Sequence, residues 1–195
     1  MITDMNRRGK IIVLSGPSGV GKTTICKKIL KRRSNIRYSI SATSRPKRKG
    51  EEDGREYFFL AKKEFKEWIR KGLFIEYAVV HNYLYGTLKK YLEDSLNKGY
   101  HVLMDVDVQG AKKLMKLYPA ELYFFIIPPD VIELEKRLLK RNTDKNEEIR
   151  NRLATAFDEL KYKNDYKYII ENRKLEDTVK VILSIIEKET KGGVQ

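Results

Sequence analysis

One stretch, Lys10 to Leu30, limits what this chain can fold into more than any other. It opens on Lys10-Ile11-Ile12-Val13-Leu14, a short apolar, β-branched run with the signature of a buried strand. Ser15 follows, and then Gly16-Pro17-Ser18-Gly19-Val20-Gly21-Lys22-Thr23, which fits G-x-x-x-x-G-K-[ST]. Behind it, Thr24-Ile25-Cys26-Lys27-Lys28-Ile29-Leu30 carries apolar residues at helical spacing. Strand, glycine-rich loop and helix start thus come in the order a phosphate cradle requires. The glycines let backbone N–H groups turn inward around phosphates, and the helix N-terminus adds its partial positive charge. In that arrangement Lys22 reaches the β- and γ-phosphates of a nucleoside triphosphate, and the Thr23 hydroxyl ligates Mg²⁺.

A chain of 195 residues is long enough for one domain with a real core. It holds no apolar run of about 18 residues, so no membrane span is expected. The N-terminus, MITDMNRRGK, lacks the apolar stretch of a secretion signal. The lone Cys26 shares the apolar face of the first helix with Ile25 and Ile29 and reads as core. These features fit a cytoplasmic enzyme. Lys and Arg number 41 against 27 Asp and Glu, a net charge of +14. That balance suits a polyanionic partner, whether nucleotides or nucleic acid, and equally suits lysines spread over solvated helix faces.

Further along, Ile36–Ile40 reads as a strand, 41–54 as a polar loop, Tyr57–Leu60 as a short strand and Lys62–Lys71 as a helix stopped by Gly72. Leu73–Val80 is a strand with one carboxylate in its middle, Asn82–Thr87 a turn, and Leu88–Lys98 a helix closed by Gly99. Tyr100–Asp105 is a buried strand running on into Val106 and Asp107, and a helix through Leu117 follows it. Leu122–Ile127 is another strong apolar strand, and Pro128-Pro129-Asp130 caps a helix from Val131 to Arg141. After a polar break at Asn142–Asn146 come a helix at Glu147–Lys163, a strand at Tyr166–Ile170 and a helix at Leu175–Glu189. Strands alternating with helices predict an α/β fold with a parallel sheet covered on both faces. Residues 41 to 90 break that rhythm and read as a small mixed lobe inserted into the α/β core, and the chain shows no repeat, no low-complexity linker and no second core.

The lobe is where a second reactant should be sought. Arg45 and Arg48 flank Pro46 in a loop, two guanidinium forks suited to a phosphate. Tyr57 and Tyr85 stand at the lobe's edges and can donate phenolic hydrogen bonds. Glu76 lies inside an apolar strand, where a carboxylate is costly unless partnered. Guanine presents N1–H and N2–H₂ side by side, and one carboxylate can accept both. Adenine offers an acceptor at N1 and would leave it unpaired, a penalty worth roughly 10⁴-fold in selection. Thr87 could add a hydroxyl to the same base. Taken alone, Glu76 also fits an ordinary salt-bridged strand residue.

Taken together these residues carry a resemblance. GPSGVGKTT (16–24), SATSRPKR-x-GE (41–51), DGREYFF (53–59), FIEYA (74–78), YGT (85–87), DVDVQGA (105–111), IIPPD (126–130), LEKRLLKR (134–141) and IRNRL (149–153) resemble the guanylate kinase family, nearly end to end. The resemblance implies a three-layer P-loop NTPase core (1–40, 91–130 and 165–195), a GMP-binding lobe at about 41–90 and a helical lid at about 131–164. It implies transfer of the γ-phosphoryl of ATP to GMP or dGMP, with Mg²⁺ accompanying ATP. The ATP-binding set would be Ser15, Gly16, Pro17, Ser18, Gly19, Val20, Gly21, Lys22, Thr23 and Thr24, with Asn172 near the adenine. The GMP-binding set would be Ser41, Arg45, Arg48, Tyr57, Glu76, Tyr85, Thr87 and Asp107. Lys22 and Arg45 would act in catalysis, with lid arginines matching Arg137, Arg141 and Arg152. Without the resemblance those three lid arginines read as ordinary solvated surface, although Arg137 and Arg141 are i, i+4 neighbours.

Two departures stand out. The family usually reads His-Gly-Asn-Tyr-Tyr-Gly-Thr where this chain has His81-Asn82-Tyr83-Leu84-Tyr85-Gly86-Thr87, so the turn before the site differs. Where the family often has Asn-Asp-Asp, this chain has Asn172-Arg173-Lys174, a more basic rim. The GMP phosphate has a second pKa near 6, so it needs no general base, and no Ser/His/Asp or Cys/His set is apparent. Positioning, charge neutralisation and closure of the lobes would then carry the reaction. A link from Asp105 to the Mg²⁺ shell is a further expectation. Two other classes compete with this reading: a nucleotide-regulated binding module, and a P-loop ATPase acting on RNA. Retention of Lys22, Thr23 and both lobe arginines argues against the first, and Glu76 with Arg45 and Arg48 in one insert against the second. The expected partners are therefore ATP and GMP, not nucleic acid and not a membrane.

Overall fold

The computed structural model describes residues 8–80, 82–139 and 146–191, with the side chains of 146–152 and 191 left aside. The chain divides into two compact units. One comprises Met1–Ile11, Asn35–Met104 and Gln109–Glu121, the other Ile12–Ser34, Asp105–Val108 and Leu122–Gln195.

In the second unit, strand β1 (Ile11–Ser15) is buried along its whole length, as its β-branched sequence requires. It pairs in parallel with β8 (Leu122–Ile127), Leu14 opposite Phe124, and β8 pairs in parallel with β9 (Tyr168–Glu171), Phe124 opposite Tyr168. Helix α1 (Lys22–Arg32) turns Ile25, Cys26 and Ile29 inward. Its outer basic residues meet helix α7 (Leu175–Lys191): Lys28 and Arg32 both pair with Glu176, and Arg33 pairs with Glu187. Helix α5 (Val131–Leu139) and helix α6 (Asn146–Leu160) bury Leu134, Leu138 and Ala156 against each other, with Leu153 alongside.

In the first unit, β2 (Ile36–Tyr38) pairs in parallel with β7 (His101–Asp105). Within this unit β2 and β7 are neighbours, and in the other unit the order is β1-β8-β9. The inserted lobe carries its own four-stranded sheet, ordered β4-β3-β6-β5, from β3 (Ala42–Thr43), β4 (Phe58–Phe59), β5 (Phe74–Val80) and β6 (Tyr83–Leu88). Helix α2 (Lys62–Arg70) covers it, and Phe65 is fully buried among Ala42, Leu84, Phe58, Leu60, Ile69 and Phe74. The lobe thus has an apolar core of its own, contrary to the sequence reading. Helix α3 (Lys89–Asn97) buries Leu92 and Leu96, and α4 (Val108–Leu117) follows β7. β5 forms one edge of the lobe's sheet. Lys113 of α4 donates to the Tyr77 carbonyl on that edge and lies 4.7 Å from the Tyr77 ring centroid.

Several boundaries differ from expectation. The segment 82–87, expected as a turn, is mostly strand β6, antiparallel to β5 with Glu76 opposite Thr87. Its glycine misleads, because Gly86 marks a close approach: a Cβ there would stand 2.8 Å from Phe74 Cδ1 and 3.1 Å from the Glu76 carbonyl oxygen. The expected loop 41–54 contains β3, held by side-chain bonds such as Thr43 Oγ1 to the Leu84 carbonyl, 3.0 Å. β7 stops at Asp105, so Asp107 precedes α4 rather than sharing a strand face with Asp105. The last strand begins at Tyr168, because a 3₁₀ turn, Lys163–Asp165, precedes it. Arg141 and the break at 142–145 lie outside the described residues.

His101, to which no role was given, accepts the Lys10 backbone N–H at Nδ1, 3.0 Å. Burial first, and then the Lys10 charge, push its pKa below the ordinary imidazole value. A depressed value means that the folded state resists protonation. The stability this contributes is present above about pH 6.5 and is lost as pH falls toward the folded value. The wild-type melting temperature should therefore drop more between pH 7 and pH 5 than that of His101→Gln, whose amide oxygen can still accept the Lys10 N–H. Equal slopes in thermal melts would show that His101 does not carry this acid sensitivity.

Candidate active site

The phosphate loop between β1 and α1 is shaped by backbone that only glycine adopts easily. Gly16, Gly19 and Gly21 have φ of +130°, +85° and +103°. At Gly16 a Cβ would lie 2.2 Å from the Ile126 carbonyl oxygen, so no side chain fits. Gly21 caps α1 in the left-handed region, and Lys22 and Thr23 open the helix two residues earlier than the apolar spacing indicated. Lys22 Nζ reaches back across the loop to the carbonyls of Gly16, 2.6 Å, and Pro17, 3.1 Å. Thr23 Oγ1 donates to Asp105 Oδ2, 2.8 Å, which joins the expected metal-ligating hydroxyl to a carboxylate. Cys26 is buried, and burial together with Asp105 pushes its thiol well above the usual range, so it is inert core.

Three further residues close on the loop in this unit. Arg137 donates from Nε to Glu133, 2.8 Å, from Nη1 to the Val20 carbonyl, 3.2 Å, and from Nη2 to the Asn172 carbonyl, 3.1 Å. It is therefore not the solvated arginine that the bare sequence indicated. Asn172 is buried, and its amide donates to the Val20 carbonyl, 2.8 Å. Glu159, which the sequence reading passed over, accepts the Ser18 N–H, 3.3 Å. Burial and Asp107 raise its pKa against the pull of Lys22 and that N–H. A carboxylate within an amphipathic helix gives no signal that it will face a phosphate loop. Arg141 lies outside the described residues, as does the side chain of Arg152 on α6.

The lobe gathers the other set. Glu76 and Thr87 are cross-strand partners on β5 and β6, both buried, and Thr87 Oγ1 donates to Glu76 Oε1, 2.7 Å. Arg45 is only 8 % exposed yet charged. Burial opposes its charge, but Glu51 and Tyr85 hold its pKa above the ordinary value. Its Nη2 meets Glu51 Oε1 and Oε2 at 2.8 and 3.0 Å, and Nη1 donates to the Pro46 carbonyl, 2.6 Å. The same Glu51 accepts the Arg48 N–H, 2.8 Å, so one carboxylate orders both arginine positions. Burial would raise the Glu51 pKa, but Arg45 and the Arg48 N–H outweigh it and hold the carboxyl below its usual range. Glu51 had been quoted in the sequence without a role. Its spacing from Arg48, an i to i+3 carboxylate across a Gly-containing turn, was the available signal. Tyr57 stacks edge-on with Tyr85, centroids 5.8 Å apart, and its ring lies 5.6 Å from the Arg45 guanidinium. The Ser41 carbonyl accepts the Phe58 N–H, 2.9 Å, which sets Ser41 at the start of this sheet. Seven of the eight expected GMP-binding residues belong to this unit, while Asp107 belongs to the unit of the phosphate loop.

The guanylate kinase family model matches residues 8–189. The guanylate kinase of Thermotoga maritima is 43 % identical over 182 residues, 93 % of this chain and 88 % of that protein. That of Clostridioides difficile is 42 % identical over 183 residues, 94 % of this chain and 89 % of that one. The crystal structure of guanylate kinase from Anaplasma phagocytophilum superposes with a TM-score of 0.80 at 36 % identity, covering 94 % of this chain and 87 % of that one. Matched by the family model over nearly its whole length, and 43 % and 42 % identical to the first two of these relatives over more than nine-tenths of it, this chain belongs to the guanylate kinase family.

Proposed function

We propose that this chain transfers the γ-phosphoryl of ATP to GMP or dGMP, giving ADP and the nucleoside diphosphate, and serves purine nucleotide metabolism. The observation that carries the choice of GMP is the buried Glu76–Thr87 pair. A buried carboxylate backed by a hydroxyl suits a base edge made of adjacent N–H donors, as in guanine. In this reading residues of about 41–90 form the GMP lobe and those of about 131–164 the lid. Arg45, Arg48, Tyr57 and Tyr85 hold the GMP phosphate, with Ser41, Glu76, Thr87 and Asp107 on the guanine side. Lys22 neutralises charge on the transferring group, assisted by Arg137, Arg141 and Arg152. The loop from Ser15 to Thr24 takes the triphosphate.

The Thr23 hydroxyl and the Asp105 carboxylate are hard oxygen donors of the kind Mg²⁺ prefers, so these residues fit the metal that such kinases use with ATP. Bound there, Mg²⁺ would neutralise phosphate charge. The GMP phosphate is largely dianionic at neutral pH, its second pKa being about 6, so the chain need only align it and shield the developing charge. ATP and GMP are both cytoplasmic metabolites, and the cytoplasm is the proposed place of work. No helix among the described residues is long and apolar enough to cross a membrane.

Two substitutions test the lobe. Glu76→Gln places an amide donor against a guanine donor. It should cost GMP on the order of 2–4 kcal/mol in kcat/KM while selection against AMP shrinks. A mutant with lower melting temperature but an unaltered GMP/AMP ratio would take Glu76 out of base recognition. Arg45→Ala should weaken GMP binding by about 1.5–3 kcal/mol and leave ATP binding nearly unchanged. Calorimetric titration with guanosine as well as GMP checks it, since a wild type that binds both equally has no phosphate site at Arg45.

A further inference from the structure

Asn172 was expected near the adenine. Each of its four polar atoms has a partner within the protein. Its N–H donates to the Ile127 carbonyl, 2.8 Å, and its carbonyl accepts Arg137 Nη2, 3.1 Å. The side-chain Nδ2 donates to the Val20 carbonyl, 2.8 Å, and Oδ1 accepts the Thr178 hydroxyl, 3.1 Å. A carbonyl can only accept, so the bond to Val20 fixes which way the amide faces. Thr178, itself buried, also has the Lys174 carbonyl at 3.1 Å and the Glu171 carbonyl at 3.3 Å within reach, and shares its one proton among the three.

The consequence falls on Val20. Its carbonyl accepts from both Asn172 Nδ2 and Arg137 Nη1, which occupies both oxygen lone pairs. Its side chain is fully buried. Val20 is thus held at both ends, between two glycines in the left-handed region. Those glycines allow the loop its bend but give it no preference for that bend, since glycine has the widest conformational choice of any residue. A phosphate-binding loop must present its N–H groups in one arrangement. The clamp on Val20 supplies what the glycines cannot. It also leaves no space: a Cβ on Gly21 would stand 2.8 Å from Asn172 Nδ2.

We propose that Asn172 is a positioning residue for the triphosphate, pinning the Val20 carbonyl together with Arg137, rather than a reader of the nucleobase. This rests on the reading of the loop as the ATP site. A base-free probe separates the two roles. Inorganic tripolyphosphate, ATP and GMP, each with Mg²⁺, would be titrated into wild type, Asn172→Ala and Thr178→Val by calorimetry. Asn172→Ala should weaken ATP and tripolyphosphate by the same factor, about tenfold for one buried hydrogen bond lost, with the GMP dissociation constant unchanged. Thr178→Val, which keeps the side-chain shape, should shift both phosphate ligands together by a smaller factor. ATP weakened with tripolyphosphate unaffected would make Asn172 a base reader and overturn the proposal, and so would no effect on either. A wild type that binds ATP but not tripolyphosphate overturns it as well, because the affinity would then reside in the base. If Asn172→Ala does not fold, Thr178→Val carries the same comparison. Failure of wild type to bind ATP at all would instead remove the loop's assignment as the ATP site.

Discussion

One constraint shapes the unit that carries β1 and α1, a backbone bent into the left-handed region at three glycines of a single loop. That bend is cheap for glycine and costs other residues about 1–2 kcal/mol at each position. At Gly16 the approach of the Ile126 carbonyl removes even that option. The rest of the unit compensates for the loop's lack of intrinsic preference. β1 enters it fully buried, α1 leaves it anchored by Ile25, Cys26 and Ile29, and Arg137, Asn172 and Glu159 each bond to one of its backbone groups. Lys22 is folded onto the same backbone, and its ammonium satisfies two loop carbonyls.

The lobe meets a different difficulty, that of burying charge. Arg45 and Glu76 are both less than a tenth exposed, and an isolated ion in such surroundings would cost several kcal/mol. Each is offset locally. Glu51 takes the Arg45 guanidinium in a two-oxygen pairing, and Thr87 places a hydroxyl on Glu76 from the neighbouring strand. The lobe also holds an apolar cluster around Phe65, a framework built without these charges. Such rigidity lets a site discriminate between ligands through the penalty of leaving a buried group unpaired.

Much of this was legible in the chain. The loop and its helix follow from a motif with a physical reason at every position, and the apolar runs at 11–15 and 122–127 became β1 and β8. What was not legible depended on partners distant in sequence. β6 was hidden because Asn82 and Gly86 read as turn residues until β5 lies beside the segment. The lobe's core was missed because Ala42, Phe65 and Leu84 come from three separate elements, none of them strongly apolar. Asn172 and Glu159 reach the loop across 152 and 141 residues of sequence, and no local pattern announces such a contact. The resemblance correctly identified the family, but it could not say that Asn172 would spend its amide on the protein itself.

The outer edge of the lobe's sheet bears on how this chain behaves in company. β5 ends the sheet with exposed Tyr77 and Val79 beside its edge backbone, the kind of surface on which foreign strands add. Lys113 lays its ammonium on the Tyr77 carbonyl, over the face of the ring. An incoming strand would have to displace that cation and bury or expel its charge before gaining a hydrogen bond. A single lysine from a helix thereby makes the addition of a foreign strand at this edge costlier.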